Sequence, residues 1–172
     1  MLIGCGLPYD RLNNGKGNKV PKKSFIFKNK NKFDTERFSQ EIDLDYFYEL
    51  EKIYESDRNF SPNGVYYDEN PTKGVCQFYE NGCVRFMNKK LMNPSPDMNG
   101  IRGIIYFKGN QMYADVFQGR SNNIMHIVTN KIKIENDKFY MLDVSNLSGR
   151  LCFVYKKAFK IPTEYKKFKA EW

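Results

Sequence analysis

The sequence has little of what most catalytic and metal sites are built from. It contains one histidine, one tryptophan and four cysteines among 172 residues. No stretch stays apolar over the roughly 20 residues that a membrane-spanning helix needs. No cluster of histidine, cysteine and carboxylate has the spacing of a zinc or iron site, and no glycine-rich phosphate loop precedes a predicted helix. We therefore predict a protein that is not an enzyme and holds no metal or cofactor.

Aromatic residues, in contrast, are abundant. The chain has 14 phenylalanines and 12 tyrosines, and aromatics make up 16% of it. Aromatic and β-branched residues favour strands, and the many Asn and Gly residues supply turns between them. The composition predicts a folded, mainly β protein.

The net charge of +8 is concentrated near the N-terminus. Residues 11–33 carry eight basic residues and no acid, whereas residues 34–57 carry nine acids against two basic residues. A basic segment beside a near-neutral body is more typical of a solvated linker than of a nucleic-acid surface. We expect residues 1–33 to form a flexible basic tether whose apolar island, Ser24–Phe27, docks as an edge strand. The lysines could also lie on anionic lipid head groups. We predict one domain over residues 34–172 and no nucleic-acid partner.

The acidic segment 34–57 is ambiguous between helix and strand. Apolar residues recur there at three- and four-residue spacing, as in a helix with one apolar stripe: Leu44, Phe47, Leu50 and Tyr54. Asp43 is a candidate N-cap. The aromatic content favours a strand instead. We predict a short helix within residues 41–56 that lies on the sheet.

The clearest structural signal is the stretch Val75–Met87. Two strand-like runs flank Asn-Gly, the pair typical of a β-hairpin. A three-residue loop that ends at a left-handed Gly82 places the apolar side chains on one face of the hairpin. A one-residue slip would instead place polar and apolar side chains on the same face. In that register the facing residues are Cys76 with Phe86 and Phe78 with Val84.

Further hairpins follow in the same design. Turns at Gly109-Asn110 and Asn136-Asp137 pair the flanking apolar residues as follows: Phe107 with Met112, Ile105 with Ala114, Ile134 with Phe139, and Ile132 with Met141. The pattern predicts an up-and-down antiparallel meander of about eight strands that closes into a barrel. A barrel of about this size holds side chains or one small ligand.

Two motifs carry a family resemblance. Leu2-Ile3-Gly4-Cys5 resembles a bacterial lipobox, in which the cysteine is acylated, although only four residues precede Cys5. Gly64–Tyr67 followed by Phe78–Gly82 resembles the strand and hairpin of small lipocalin-like, calycin-type lipoproteins of Gram-negative bacteria. The resemblance implies a lipocalin-like barrel in the cell envelope, with its body in the periplasm or at the cell surface, and a lipid on Cys5.

Two functions follow from these patterns. The first is a membrane-tethered barrel that binds a small apolar ligand in a cavity lined by inward residues: Cys76, Phe78, Val84, Phe86, Ile105, Phe107 and Met112. The alternative is a protein-interaction module, an inhibitor or assembly factor, that uses outward tyrosines: Tyr79, Tyr106 and Tyr113. His126, on the side of its strand shared with Val128, is expected to be structural. Cys76 should face inward and Cys83 outward, which leaves them as free thiols with Cys152.

Overall fold

The computed structural model describes residues 6–13, 15–67, 74–119, 124–145 and 150–172, without the side chains of residues 65–67. Cys5 therefore lies outside the described residues. The strands are β1 (Tyr9–Arg11), β2 (Lys19–Pro21), β3 (Tyr46–Ser56), β4 (Pro62–Tyr67), β5 (Gly74–Phe78), β6 (Cys83–Asn88), β7 (Ile101–Lys108), β8 (Gln111–Gly119), β9 (Met125–Glu135), β10 (Lys138–Asp143) and β11 (Arg150–Lys160). The helices are α1 (Thr35–Glu41) and α2 (Thr163–Lys166), and Lys30–Lys32 and Lys89–Leu91 form single 3-10 turns.

Eight antiparallel strands form a closed barrel. Strands β5 to β11 pair in chain order, β5 also pairs with β3, and β11 pairs with β3 to complete the circle. Strand β4 pairs with residues 53–56 of β3, on the same edge that pairs with β5. Strands β1 and β2 form a separate hairpin. The predicted up-and-down meander and its closure are confirmed.

The two ends of the barrel differ in their connections. One end carries the tight turns at residues 79–82, 109–110 and 136–137, and we call it the turn end. The opposite end, where residues 89–100 join β6 to β7, is the loop end. The connections are therefore short hairpin loops at the turn end and longer segments at the loop end.

The predicted hairpin registers are confirmed. Cys76 faces Phe86 and Phe78 faces Val84, and the backbone N–H of Gly82 donates to the Tyr79 carbonyl at 3.0 Å. Gly82 has a φ of +78°, and a Cβ there would come within 2.6 Å of the Phe33 ring. Only glycine combines that backbone conformation with that lack of space. The later pairings of β7 with β8 and of β9 with β10 also agree.

The predicted helix within residues 41–56 is wrong, because residues 46–56 form strand β3. The helical spacing of apolar residues arises because β3 is covered on both faces. Tyr48 packs inside the barrel, while its neighbour Phe47, which is 0% exposed, packs outside against Tyr165 of α2. The observed helix α1 lies earlier, and its N-cap is Asp34, whose carboxylate accepts from the Arg37 backbone N–H at 3.1 Å. Asp43 is therefore not the N-cap.

Helix α1 covers part of the turn end of the barrel. Its Phe38 is 1% exposed and packs edge-to-face on Phe78, with ring centroids 5.6 Å apart. Arg37 lies over the Phe107 ring at 4.3 Å and donates to the Gly109 carbonyl at 2.9 Å. The short helix thus joins the interior core and is held to a neighbouring turn.

Both terminal segments pack on the outside of the barrel. Phe27, at 2% exposure, joins Ile104 and Phe117 in a second apolar cluster, which Trp172 also contacts. The island Ser24–Phe27 therefore docks, but through its aromatic rings and without strand pairing. The division of the chain at residue 33 stays a prediction, although part of the basic segment is packed.

Candidate functional site

The residues predicted to line a ligand cavity all belong to one interior core. Six of them are buried, and Phe86 is half-buried against the others. The space between them is occupied by further rings: Phe139 stacks on Tyr155 with centroids 4.6 Å apart and meets Phe78 edge-to-face at 5.2 Å. These residues face the barrel interior, which is packed with side chains from the opposite strands.

An open cleft reaches this core from the turn end. It has a volume of about 420 Å³ and lies between the β5–β6 hairpin and the C-terminal segment. Phe78 and Ile161 form part of its wall, and Phe168, which is 41% exposed, stands at its rim. The lining of the cleft also includes both acidic and basic side chains: Asp45, Glu80, Lys166, Lys169 and Glu171. The cleft combines an apolar floor with a rim of mixed charge.

His126 lies near the loop end of β9, opposite Gln118, and is half-buried. Within the described part of the chain, no three or more His, Cys, Asp or Glu side chains form a group that could hold a metal ion. Nor does any described helix have the length and apolarity to cross a membrane.

The described cysteines are free thiols on both sides of the barrel wall. Cys76 points into the interior core, whereas Cys83 and Cys152 face outward and are nevertheless 0% exposed. Burial raises the pKa of all three thiols, that of Cys76 most strongly. A raised pKa keeps a thiol protonated and therefore a poor nucleophile.

Of the three tyrosines predicted to form an exposed surface, Tyr106 is buried, and Tyr79 and Tyr113 are half-buried. Tyr106 is only 5% exposed and stacks on the half-buried Tyr113 at 5.6 Å. Its hydroxyl donates to the buried carboxylate of Asp115 at 3.2 Å, which also accepts from Asn29 at 3.0 Å. Tyr79 is half-buried and meets Trp172 edge-to-face. The terminal segments cover these rings. The prediction that Tyr106 is exposed and available to a partner protein is therefore wrong.

A fully buried arginine on the outer face of β6 was missed from the sequence. The Arg85 side chain is 0% exposed, and its guanidinium donates to backbone carbonyls of the loop that joins β6 to β7: Asn93 at 2.8 Å, Ser95 at 3.0 Å, Asn99 at 3.0 Å and Pro94 at 3.2 Å. Its charge is solvated by carbonyl dipoles rather than by a carboxylate. The only sequence signal was its place on the polar face of the hairpin, before a loop rich in Asn and Pro.

This loop and the β1–β2 hairpin enclose a groove at the loop end. We call it the basic groove and define it by its basic and apolar members: Arg11, Lys16, Lys19, Leu91 and Met98. Its volume is about 670 Å³, and the rest of its lining is Gly17 and four asparagines. Among the described residues that line it, none is acidic. Asp97 lies close by, but its carboxylate pairs with Arg102 at 3.0 Å.

Hydrogen bonds fix the two walls of the basic groove to each other. The backbone N–H of Asn13 donates to the Asp97 carbonyl at 3.2 Å, and that of Gly100 donates to the Asn18 side chain at 2.9 Å. The Asn99 amide also donates to the Leu91 carbonyl within the loop. The groove is therefore preorganised from residues far apart in sequence.

Comparison with known proteins gives no relative: no family model matches the chain, and no curated protein or solved structure matches it significantly. The lipocalin-like resemblance thus has one support in the structure, the closed eight-stranded antiparallel barrel, which is compatible with that fold. A barrel of this kind is also consistent with ligand binding.

Proposed function

We propose that this protein is a non-enzymatic β-barrel, tethered to a membrane of the bacterial envelope through a lipid on Cys5. One observation carries the proposal beyond the lipobox-like sequence. The first described residues after Cys5 are held at the loop end, where the Leu7 backbone N–H donates to the Met125 carbonyl at 2.9 Å. The described chain that follows Cys5 thus lies at the loop end of the barrel, the same end as the basic groove.

Incorporation of labelled fatty acid tests the tether. The gene is expressed with its natural upstream sequence in a Gram-negative host, and label is measured on the purified chain. Wild type and a Cys152→Ala control should carry label, and Cys5→Ala should carry none. Absence of label on wild type, or label that survives Cys5→Ala, would contradict the tether.

A second candidate function is the binding of a small apolar ligand in the turn-end cleft. It is favoured by the exposed Phe168 above an apolar floor that includes Phe78. Because the barrel interior is packed, a ligand enters this cleft more easily than the core. Ligand pockets typically combine an apolar lining with a few polar groups.

Fluorescence of an anilinonaphthalene sulfonate probe tests this second candidate. Phe168→Glu should reduce the fluorescence gain on binding at least about threefold, since a charge at the rim of an apolar site opposes desolvation. Val144→Glu, at another exposed apolar residue and at the loop end, is the matched control. Equal fluorescence for both variants would argue against the cleft.

A further inference from the structure

The basic groove has the chemistry of a site for an anionic partner. Arg11, Lys16 and Lys19 bring three positive charges to one side of it, and Lys19 lies over the Tyr9 ring at 4.4 Å. The described lining of the groove contains no acidic residue. Like charges gathered in one concave surface raise the local potential and attract a partner of the opposite sign.

Two apolar side chains stand at the same groove. Leu91 is 66% exposed and Met98 is 39% exposed, although both belong to a loop that the buried Arg85 fixes in place. The exposure of these two residues is therefore a feature of an ordered, hydrogen-bonded loop and is not caused by disorder. Exposed apolar residues beside cations are typical of surfaces that enter the headgroup region of a bilayer.

We propose that the basic groove docks the loop end of the barrel on an anionic membrane surface. The exposed Arg11 and Lys16 would contact lipid phosphates, while Leu91 and Met98 would enter the boundary between headgroups and acyl chains. The inference rests on the proposed membrane location and adds the orientation of the barrel to it. The place where the chain leaves toward Cys5 lies at the same end, so the lipid and the groove would face one membrane.

Nucleic acid is the other polyanion that such a charge pattern can attract. Binding of single strands relies on aromatic side chains that stack with bases. The described lining of the groove contains no aromatic residue, and its apolar members are the aliphatic Leu91 and Met98. The nearby Tyr9 ring packs against Lys19 outside this lining. This composition favours a lipid surface.

Sedimentation with vesicles tests the docking surface without the lipid anchor. The full chain carrying Cys5→Ser is mixed with vesicles of phosphatidylcholine, with or without phosphatidylglycerol. We expect binding only to the anionic vesicles. In the Arg11→Gln/Lys16→Gln variant the partition coefficient should fall about 30-fold, since each basic residue near such a surface contributes about fivefold. Leu91→Ser should also weaken binding, with no change in net charge.

A variant with the same charge loss at the turn end is the control. Lys108 and Lys156 are exposed and lie near the end of the barrel opposite the groove. The eight residues of β7 span about 25 Å, more than the Debye length of about 8 Å at physiological salt. Lys108→Gln/Lys156→Gln should therefore weaken binding much less than the groove variant.

Three results would overturn the inference. Equal losses in the two double variants would mean a non-specific charge effect. No binding of the Cys5→Ser chain to anionic vesicles would exclude the docking surface and leave the acylation of Cys5 as a separate question. Binding to an oligonucleotide, lost in the groove variant, together with no binding to vesicles would assign the groove to nucleic acid.

Discussion

The Sγ atom of Cys83 lies 3.9 Å from the backbone carbonyl oxygen of Trp172 on the outside of the barrel. The contact joins the β5–β6 hairpin to the C-terminal segment. Trp172 is held there by its indole N–H, which donates to the Gly103 carbonyl at 2.7 Å, and by the Arg102 guanidinium 4.8 Å from its ring. An outward-facing thiol is thus buried by residues 89 positions away in sequence.

Removal of this cover should expose Cys83. In a Cys5→Ser background, no thiol of the folded protein should react quickly with a maleimide, because the described cysteines are buried and their pKa values are raised. Trp172→Ala should increase the labelling rate of Cys83 at least about tenfold, since thiol reactivity follows exposure and thiolate fraction. Peptide mass mapping after timed labelling identifies the site. Cys76, inside the barrel, should stay unlabelled, and an unchanged rate at Cys83 would contradict the account.

Arg85 should be a major contributor to stability. Arg85→Met keeps much of the apolar stem but removes the donors that satisfy the carbonyls of Asn93, Ser95 and Asn99. Each buried polar group left without a partner costs about 1–3 kcal/mol, so the free energy of unfolding should fall by about 3 kcal/mol. Urea denaturation measures the change, with Arg58→Met at an exposed site as the control. A loss below about 1 kcal/mol would contradict this role.

The packed interior predicts a large cost for a cavity. Phe139 is 1% exposed and contacts the rings of Tyr155 and Phe78. Phe139→Ala should reduce the free energy of unfolding by about 3–5 kcal/mol. Phe168→Ala, at a 41% exposed position, should cost less than about 1 kcal/mol. If Phe139→Ala behaved like Phe168→Ala in urea denaturation, the barrel would not be filled in solution.

The protein should lose stability in alkaline solution. Burial, together with the nearby Asp115 carboxylate, raises the pKa of Tyr106 well above its usual value of 10.0. Tyr106 therefore keeps its proton when folded and releases it on unfolding above about pH 10, which favours the unfolded state as pH rises. Below about pH 10, the contribution of Tyr106 to the free energy of unfolding is fully present.

Denaturant titrations at stepwise pH values measure this dependence. Above about pH 10 the free energy of unfolding should fall by up to about 1.4 kcal/mol per pH unit for this one group. Tyr106→Phe lowers stability at neutral pH, because the hydrogen bond to Asp115 is lost, but should flatten the alkaline decline. Parallel curves for wild type and variant would assign the decline to other groups.

The sequence predicts most of the barrel because hairpins are local. Gly82, Gly109 and the Asn136-Asp137 turn each specify a loop, and apolar alternation then selects one register. The failures involve contacts between distant segments. Strand β3 resembles a helix in its spacing because α2 covers its outer face, and neither Arg85 nor Tyr106 reveals in sequence that a loop or a terminus covers it. The basic groove joins residues 11–19 to residues 91–99, which no local pattern connects.

The most direct test of the membrane tether is the mass of the N-terminal peptide of the chain extracted from host membranes. The account predicts a peptide that begins at Cys5, lacks Met1 to Gly4 and carries the added mass of acyl chains. A chain that retains Met1 and a free Cys5 thiol, or that is recovered only from the soluble fraction, would contradict it.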